Sequence, residues 1–157
     1  MKKIIMFTLI SLMIIIPSLL RAQDKEARVK QLVENRQYVF VANTAIPLRG
    51  GSRQLTSLYD VRISGDSLIS DLPYFGRAYA APVNSADIGL QFTSVENVYN
   101  VQATKKGGWE ISIRPSRGTD VRMLNLSIYS NGNASLRVSS NNRDPISFNG
   151  YITGRKN

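Results

Sequence analysis

Neither cysteine nor histidine occurs anywhere in the 157-residue chain. Without cysteine there are no disulfides, so a folded domain must rest on its packed core alone. Without histidine, the Ser-His-Asp and Cys-His nucleophile systems are excluded. So are zinc centres that depend on imidazole, and any acid–base step carried by histidine. Acidic residues are also scarce, 11 against 20 lysines and arginines, and none of the candidates of the folded part sits beside another in sequence.

These absences dispose of the most tempting motif. Gly65-Asp66-Ser67-Leu68 matches the GDSL tetrad of a serine-esterase family, whose serine needs a downstream histidine that this chain lacks. Gly65-Asp66 reads instead as a hairpin turn leading into a strand at Leu68. Carboxylate chemistry survives the test, because a glycosidase needs only two suitably spaced acids. Asp66, Asp71, Asp87, Glu96, Glu110, Asp120 and Asp144 qualify by type, but most flank turns, where solvated acids are common. No oxygen-rich run resembles a calcium loop, and Arg49-Gly50-Gly51 lacks the lysine and helix of a phosphate loop. Asn125-Leu126-Ser127 and Asn133-Ala134-Ser135 match the glycosylation sequon and are read as coincidental. The expectation is a non-enzymatic protein with no catalytic residue, metal or cofactor.

The N-terminus has the layout of a secretion signal. Lys2 and Lys3 precede an apolar run from Ile4 to Leu20, interrupted by Pro17, and the chain turns hydrophilic at Arg21-Ala22-Gln23-Asp24. Residues 1–22 are expected to be the signal, with Ala22 the small residue before the cut. An uncleaved membrane anchor is the alternative reading, and 17 residues with a proline is short for one. A lipoprotein anchor needs a cysteine and is excluded, so no stable membrane anchor is expected after cleavage. Residues 23–157 then form a single domain, large enough for its own core. That domain keeps 17 basic and 11 acidic residues, a net +6. Its bases are scattered singly, which speaks against a nucleic-acid partner.

Residues 24–36 read as a short helix with Ala27, Val29, Leu32 and Val33 on one face and Glu26, Lys30 and Glu34 as i,i+4 partners on another. From Gln37 the period changes to two. Tyr38, Phe40 and Ala42 form one row, Tyr59, Val61 and Ile63 another, followed by Ile88, Leu90 and Phe92, then Tyr99, Val101 and Ala103. Trp109, Ile111 and Ile113, then Leu124, Leu126 and Ile128, Leu136 and Val138, and Ile146, Phe148 and Ile152 continue the theme. Turn signals such as Ser64-Gly65-Asp66, Ser130-Asn131-Gly132-Asn133 and Asn141-Asn142-Arg143-Asp144-Pro145 stand between rows. The pattern predicts a mostly β fold, an antiparallel sandwich or barrel of about eight or nine strands with one short N-terminal helix.

One stretch breaks the alternation. Leu72 to Pro82 (LPYFGRAYAAP) carries two prolines, a glycine and three aromatics, so it is a loop tucked against the sheet rather than a central strand. Tyr74, Phe75, Arg77 and Tyr79 are the candidate ligand- or partner-binding residues, since aromatics with arginine are the usual composition of binding hot spots. The structural alternative is that these aromatics plug one end of the fold while Arg77 caps a buried carboxylate or backbone carbonyls.

The same loop carries a resemblance. LPYFGRAY at Leu72 to Tyr79, the preceding YDVRISGDSLISD, the later GLQFTS and the ending NGNASLRVSSNNRDPISFNGYI resemble the DUF4251 family, exported Bacteroidetes proteins of unknown function. The likeness covers roughly Gln37 to Ile152. It implies export to the bacterial envelope and transfers no catalytic residue or ligand. Together these readings point to a periplasmic or secreted binding module whose partner is a small apolar ligand or an envelope protein. The alternatives are a histidine-free glycan hydrolase using two carboxylates, and a structural envelope component that assembles through an exposed strand edge.

Overall fold

In the computed structural model, which describes residues 24–79, 89–105, 107–116 and 119–155, the helix α1 spans 24–34. The expected signal at 1–22, together with Ile88 and the end of the aromatic loop, lies outside the described residues. α1 buries Val29 and Val33 and half-buries Leu32, while Ala27, expected on the same face, is exposed. Lys30 and Glu34 form the i,i+4 ion pair at 3.8 Å. The helix stops two residues short of the expected Arg36, which takes a left-handed φ of 50° and turns the chain directly into the first strand. Among the described residues no helix is long and apolar enough to cross a membrane.

Nine strands follow: β1 (Gln37–Pro47), β2 (Arg53–Ser64), β3 (Ser67–Leu72), β4 (Leu90–Ser94), β5 (Val98–Ala103), β6 (Trp109–Arg114), β7 (Val121–Ile128), β8 (Asn133–Ser140) and β9 (Ile146–Thr153). They form one antiparallel sheet in the order β4-β3-β2-β1-β9-β8-β7-β6-β5. Eight antiparallel steps separate β4 from β5 in that order, so the two edge strands run in the same sense. Only Val95, Glu96 and Asn97 lie between them in the chain. The sheet therefore curls into a half-barrel until its edges are successive parts of one run of chain. Glu96, at φ 56°, marks the point where that run steps from the β3 side to the β6 side. A two-sheet sandwich, equally compatible with the alternation, is not what forms.

Hydrogen bonds pin this step. The Asn97 side-chain amide donates to the Asp66 carbonyl at 2.7 Å and to the Ser94 carbonyl at 3.1 Å. The Ser94 hydroxyl lies 3.0 Å from that of Ser116 and accepts from the Ser116 amide at 3.0 Å.

The concave face is the core. Ala45, Phe148, Leu136, Leu126 and Ile111 stand opposite one another on successive strands and form a buried belt. The belt runs out at Val101 on edge strand β5, which is 46% exposed although it faces inward. A second inward row, Ala42, Gly150 and Ala134, is made of small residues where β1 shifts register between Ala42 and Thr44. α1 covers one end of the curl, with Val29 against Gly132 and Leu32 against Gly154. Between β2, β3, β5 and β6, a void lined by Ile63, Leu68, Tyr99 and Ile113 amounts to about 10 Å³, no more than about one water.

The end of the curl under α1 carries a phenol pair, buried at Tyr38 and half-buried at Tyr99. The hydroxyls of Tyr38 and Tyr99 lie 3.0 Å apart, joining β1 to β5 across the curl. The Arg36 guanidinium stacks 4.7 Å from the Tyr99 ring and pairs with Asp66 at 3.3 Å. Burial, reinforced by the neighbouring phenol, pushes the Tyr38 hydroxyl well above its ordinary range. A phenol whose proton is held more tightly in the folded state binds more protons than the unfolded chain at alkaline pH. Its stabilisation is therefore complete below pH about 10 and is lost as pH rises further. Urea unfolding between neutral pH and pH about 11 is expected to show this loss, and Tyr38→Phe is expected to flatten it. An unchanged slope in the variant would assign the alkaline loss to other groups.

Candidate functional site

The β3–β4 loop crosses the end of the curl opposite α1 and is clamped to the β8–β9 turn. Ala78 bridges Arg143, the Tyr79 amide donates to the Asn142 carbonyl at 2.8 Å, and the Asp144 amide donates to the Arg77 carbonyl at 3.0 Å. Tyr74 folds back over the loop, and its hydroxyl reaches the carbonyls of Arg77 at 2.9 Å and Asp144 at 3.0 Å. Gly76 makes room for this, since a Cβ there would stand 2.5 Å from the Tyr74 hydroxyl. Phe75 packs against the core, with the Arg53 guanidinium 4.9 Å from its ring centre.

The four expected site residues therefore divide. Tyr74 and Phe75 are half-buried and hold the loop down, as the structural alternative requires. Tyr79 is 63% exposed, contrary to the expectation that all three aromatics tuck against the sheet. Its hydroxyl donates to Asp144 Oδ1. That bond to a carboxylate raises the phenol above its usual range, with burial and the Asp144 charge adding to it. Burial first, then the charge of Asp144, likewise raises Tyr74. Arg77 is exposed and caps nothing with its side chain: among the described residues its guanidinium makes no hydrogen bond or ion pair. Its carbonyl, not its charge, is what the loop uses.

The arginine that does cap is Arg143. Its Nε lies 3.6 Å from Asp120 Oδ2, its Nη1 donates to the Gly89 carbonyl at 2.7 Å, and its guanidinium sits 5.3 Å from the Tyr74 ring centre. Asp120 Oδ1 also accepts from the Asn142 amide and side chain, each at 3.2 Å. In sequence, Asn141 to Pro145 looks only like a turn. Nothing local announces that its aspartate meets Tyr79 and Tyr74, 65 and 70 positions earlier, or that its arginine reaches Gly89, 54 positions earlier.

The carboxylates expected to be solvated turn residues are distributed less simply. Asp71 faces Asp60, a buried acid outside that set, across β3 and β2. Two Arg62 nitrogens hold Asp60 Oδ2 at 3.0 and 3.1 Å, and Gln91 donates to Asp71 at 2.7 Å. Glu110 accepts from Ser127 at 2.8 Å on the convex face. Ser67 of the GDSL tetrad opens β3 next to the Gly65-Asp66 turn, where Gly65 takes φ 58° as the turn reading requires. Among the described residues no group of three or more acids could hold a metal ion.

No curated protein matches the chain. A crystal structure of a DUF4251 family protein from Bacteroides eggerthii DSM 20697 is similar in fold, with a TM-score of 0.60 at 15% identity. That likeness covers 83% of this chain and 87% of that one. Residues 20–152 match the family described as a domain of unknown function, DUF4251. With that match spanning most of its length, the chain belongs to the DUF4251 family.

Proposed function

We propose that this is an exported, non-enzymatic interaction module, periplasmic or secreted, that seats an acidic envelope protein on the end of the curl opposite α1. The observation that carries the reading is the outward presentation of Arg77 and Tyr79 from a backbone fixed by Tyr74, Asn142 and Asp144. A contact surface ordered before binding loses little freedom when a partner arrives. Exposed Arg49 and Arg53 flank it, and Arg49 lies close enough for its charge to act on the Tyr79 hydroxyl. Leu48, 55% exposed, supplies apolar area beside the cations. Arginines surrounding an aromatic favour a partner with carboxylates.

Native mass spectrometry of the protein recovered gently from the exporting cell tests this. Wild type is expected to carry extra mass that vanishes on denaturation. The Arg77→Glu variant is expected to bind at least about ten-fold more weakly, with an unchanged melting temperature because that side chain is exposed and makes no hydrogen bond or ion pair among the described residues. The same mass retained on the variant would place the contact elsewhere. A bare wild-type chain would remove the stable partner from the reading.

A further inference from the structure

The convex face carries a groove unrelated to that loop. Its volume is about 500 Å³, and its side-chain lining is Asn43, Thr44, Tyr129, Asn133, Ser135 and Asn149. Thr44, Asn149 and Ser135 stand side by side on β1, β9 and β8. The same register row continues to Gln54 on one side and to Ser127, Glu110 and Gln102 on the other. It leads into a second depression of about 150 Å³, bordered by Asn100, Gln102, Ser112 and Asn125. From β1 to β5 this row crosses about 24 Å of sheet at the usual strand spacing.

We infer that this row is a binding site for a neutral glycan chain, with the Asn43–Asn149 groove as its main subsite. The groove contains no lysine, arginine, aspartate or glutamate, in a protein with 31 charged residues. Amides and hydroxyls both donate and accept, so they match a ligand whose own surface is hydroxyl groups. Exchange of water for such a ligand in this groove trades hydrogen bonds for hydrogen bonds and desolvates no charge.

Tyr129, 55% exposed, offers a ring face for the apolar side of a sugar. Its position is fixed by bonds from its amide to the Asn133 carbonyl at 2.9 Å and from the Gly132 amide to its own carbonyl at 2.8 Å. Tyr151, opposite Asn133 and on the same face of β9 as Asn149, adds a second exposed ring. A peptide is a poorer fit. The groove lies in mid-sheet, where β1, β9 and β8 are each paired on both sides, so no free strand edge is available to it. An anionic chain would meet Glu110 and no cation in either depression.

The test is an amide-resolved NMR titration of the processed protein with maltohexaose, cellohexaose and chitohexaose, and with a polygalacturonate oligomer as the charged control. At least one neutral hexasaccharide is expected to shift the amides of Asn133, Ser135 and Asn149 at micromolar to millimolar concentration. Tyr129→Ala, at an exposed ring, is expected to weaken that binding about ten-fold or more. Asn149→Ala, on the outward side of β9, should weaken it without changing the melting temperature. The inference is overturned if none of the three sugars shifts these amides, if the shifts centre on Tyr79, or if the charged oligomer binds best. Failure of the acidic-protein contact would leave these shifts in place, so the two readings are separable.

Discussion

Replacing Phe148 by alanine is expected to lower the unfolding free energy by about 3–5 kcal/mol. Phe148 has no solvent exposure and stands in the middle of the buried belt, between Ala45 on β1 and Leu136 on β8. The lost ring removes its transfer free energy and leaves a cavity between side chains fixed by three strands, which cannot close without breaking the sheet. No disulfide supports the fold, and a domain of this size has about 5–15 kcal/mol in total. The variant should therefore melt on the order of 10 °C lower. Urea and thermal unfolding measure both quantities, and a loss below about 1 kcal/mol would show that the interior does not pack as described.

Gly150→Ala should cost about 3 kcal/mol for the opposite reason, too much atom rather than too little. A Cβ at Gly150 would stand 1.9 Å from the Val41 carbonyl oxygen and 3.1 Å from Ala42 Cα, so backbone rather than a flexible side chain would have to move. The backbone that would move borders the register shift between Ala42 and Thr44 on β1. Gly51→Ala is the control. A Cβ there meets nothing within 4 Å and the residue needs no positive φ, so its effect should stay within about 0.5 kcal/mol. Equal unfolding free energies for the two variants would mean that β1 does not approach β9 this closely.

These two positions show what is readable in the chain and what is not. The inward set of β7, Leu124, Leu126 and Ile128, follows from simple alternation, and so do Phe148 on β9 and the Gly65-Asp66 turn, because strand period and turn chemistry are local properties. The register shift in β1 is hidden. Tyr38, Phe40 and Ala42 alternate as expected, but the next inward residue is Ala45, three positions on, and the sequence around Asn43 offers no bulge signature. The choice between sandwich and barrel is likewise invisible, since both present one apolar face per strand.

The loop shows the same division. That Tyr74 and Phe75 would not remain in water is legible from their size. That Tyr79 turns outward depends on Asp144, which only tertiary structure brings near. The convex polar row is not legible in the sequence because each member, taken alone, is an ordinary solvated residue of a strand. Only the pairing of β2, β1, β9, β8, β7, β6 and β5 places them in line.

The half-barrel's edges, as successive parts of one run of chain, bear on how the protein assembles. Every neighbouring pair of strands is consecutive in the chain except β1 with β9, where Val39 meets Thr153, 114 positions on. The chain can thus form two local meanders, β1–β4 and β5–β9, hinged at Glu96, at small entropic cost. The loop-closure entropy of the whole fold then falls on the single β1–β9 seam. That seam is also where a Cβ at Gly150 would strike the β1 backbone, so the step that completes the domain has little tolerance for an extra atom.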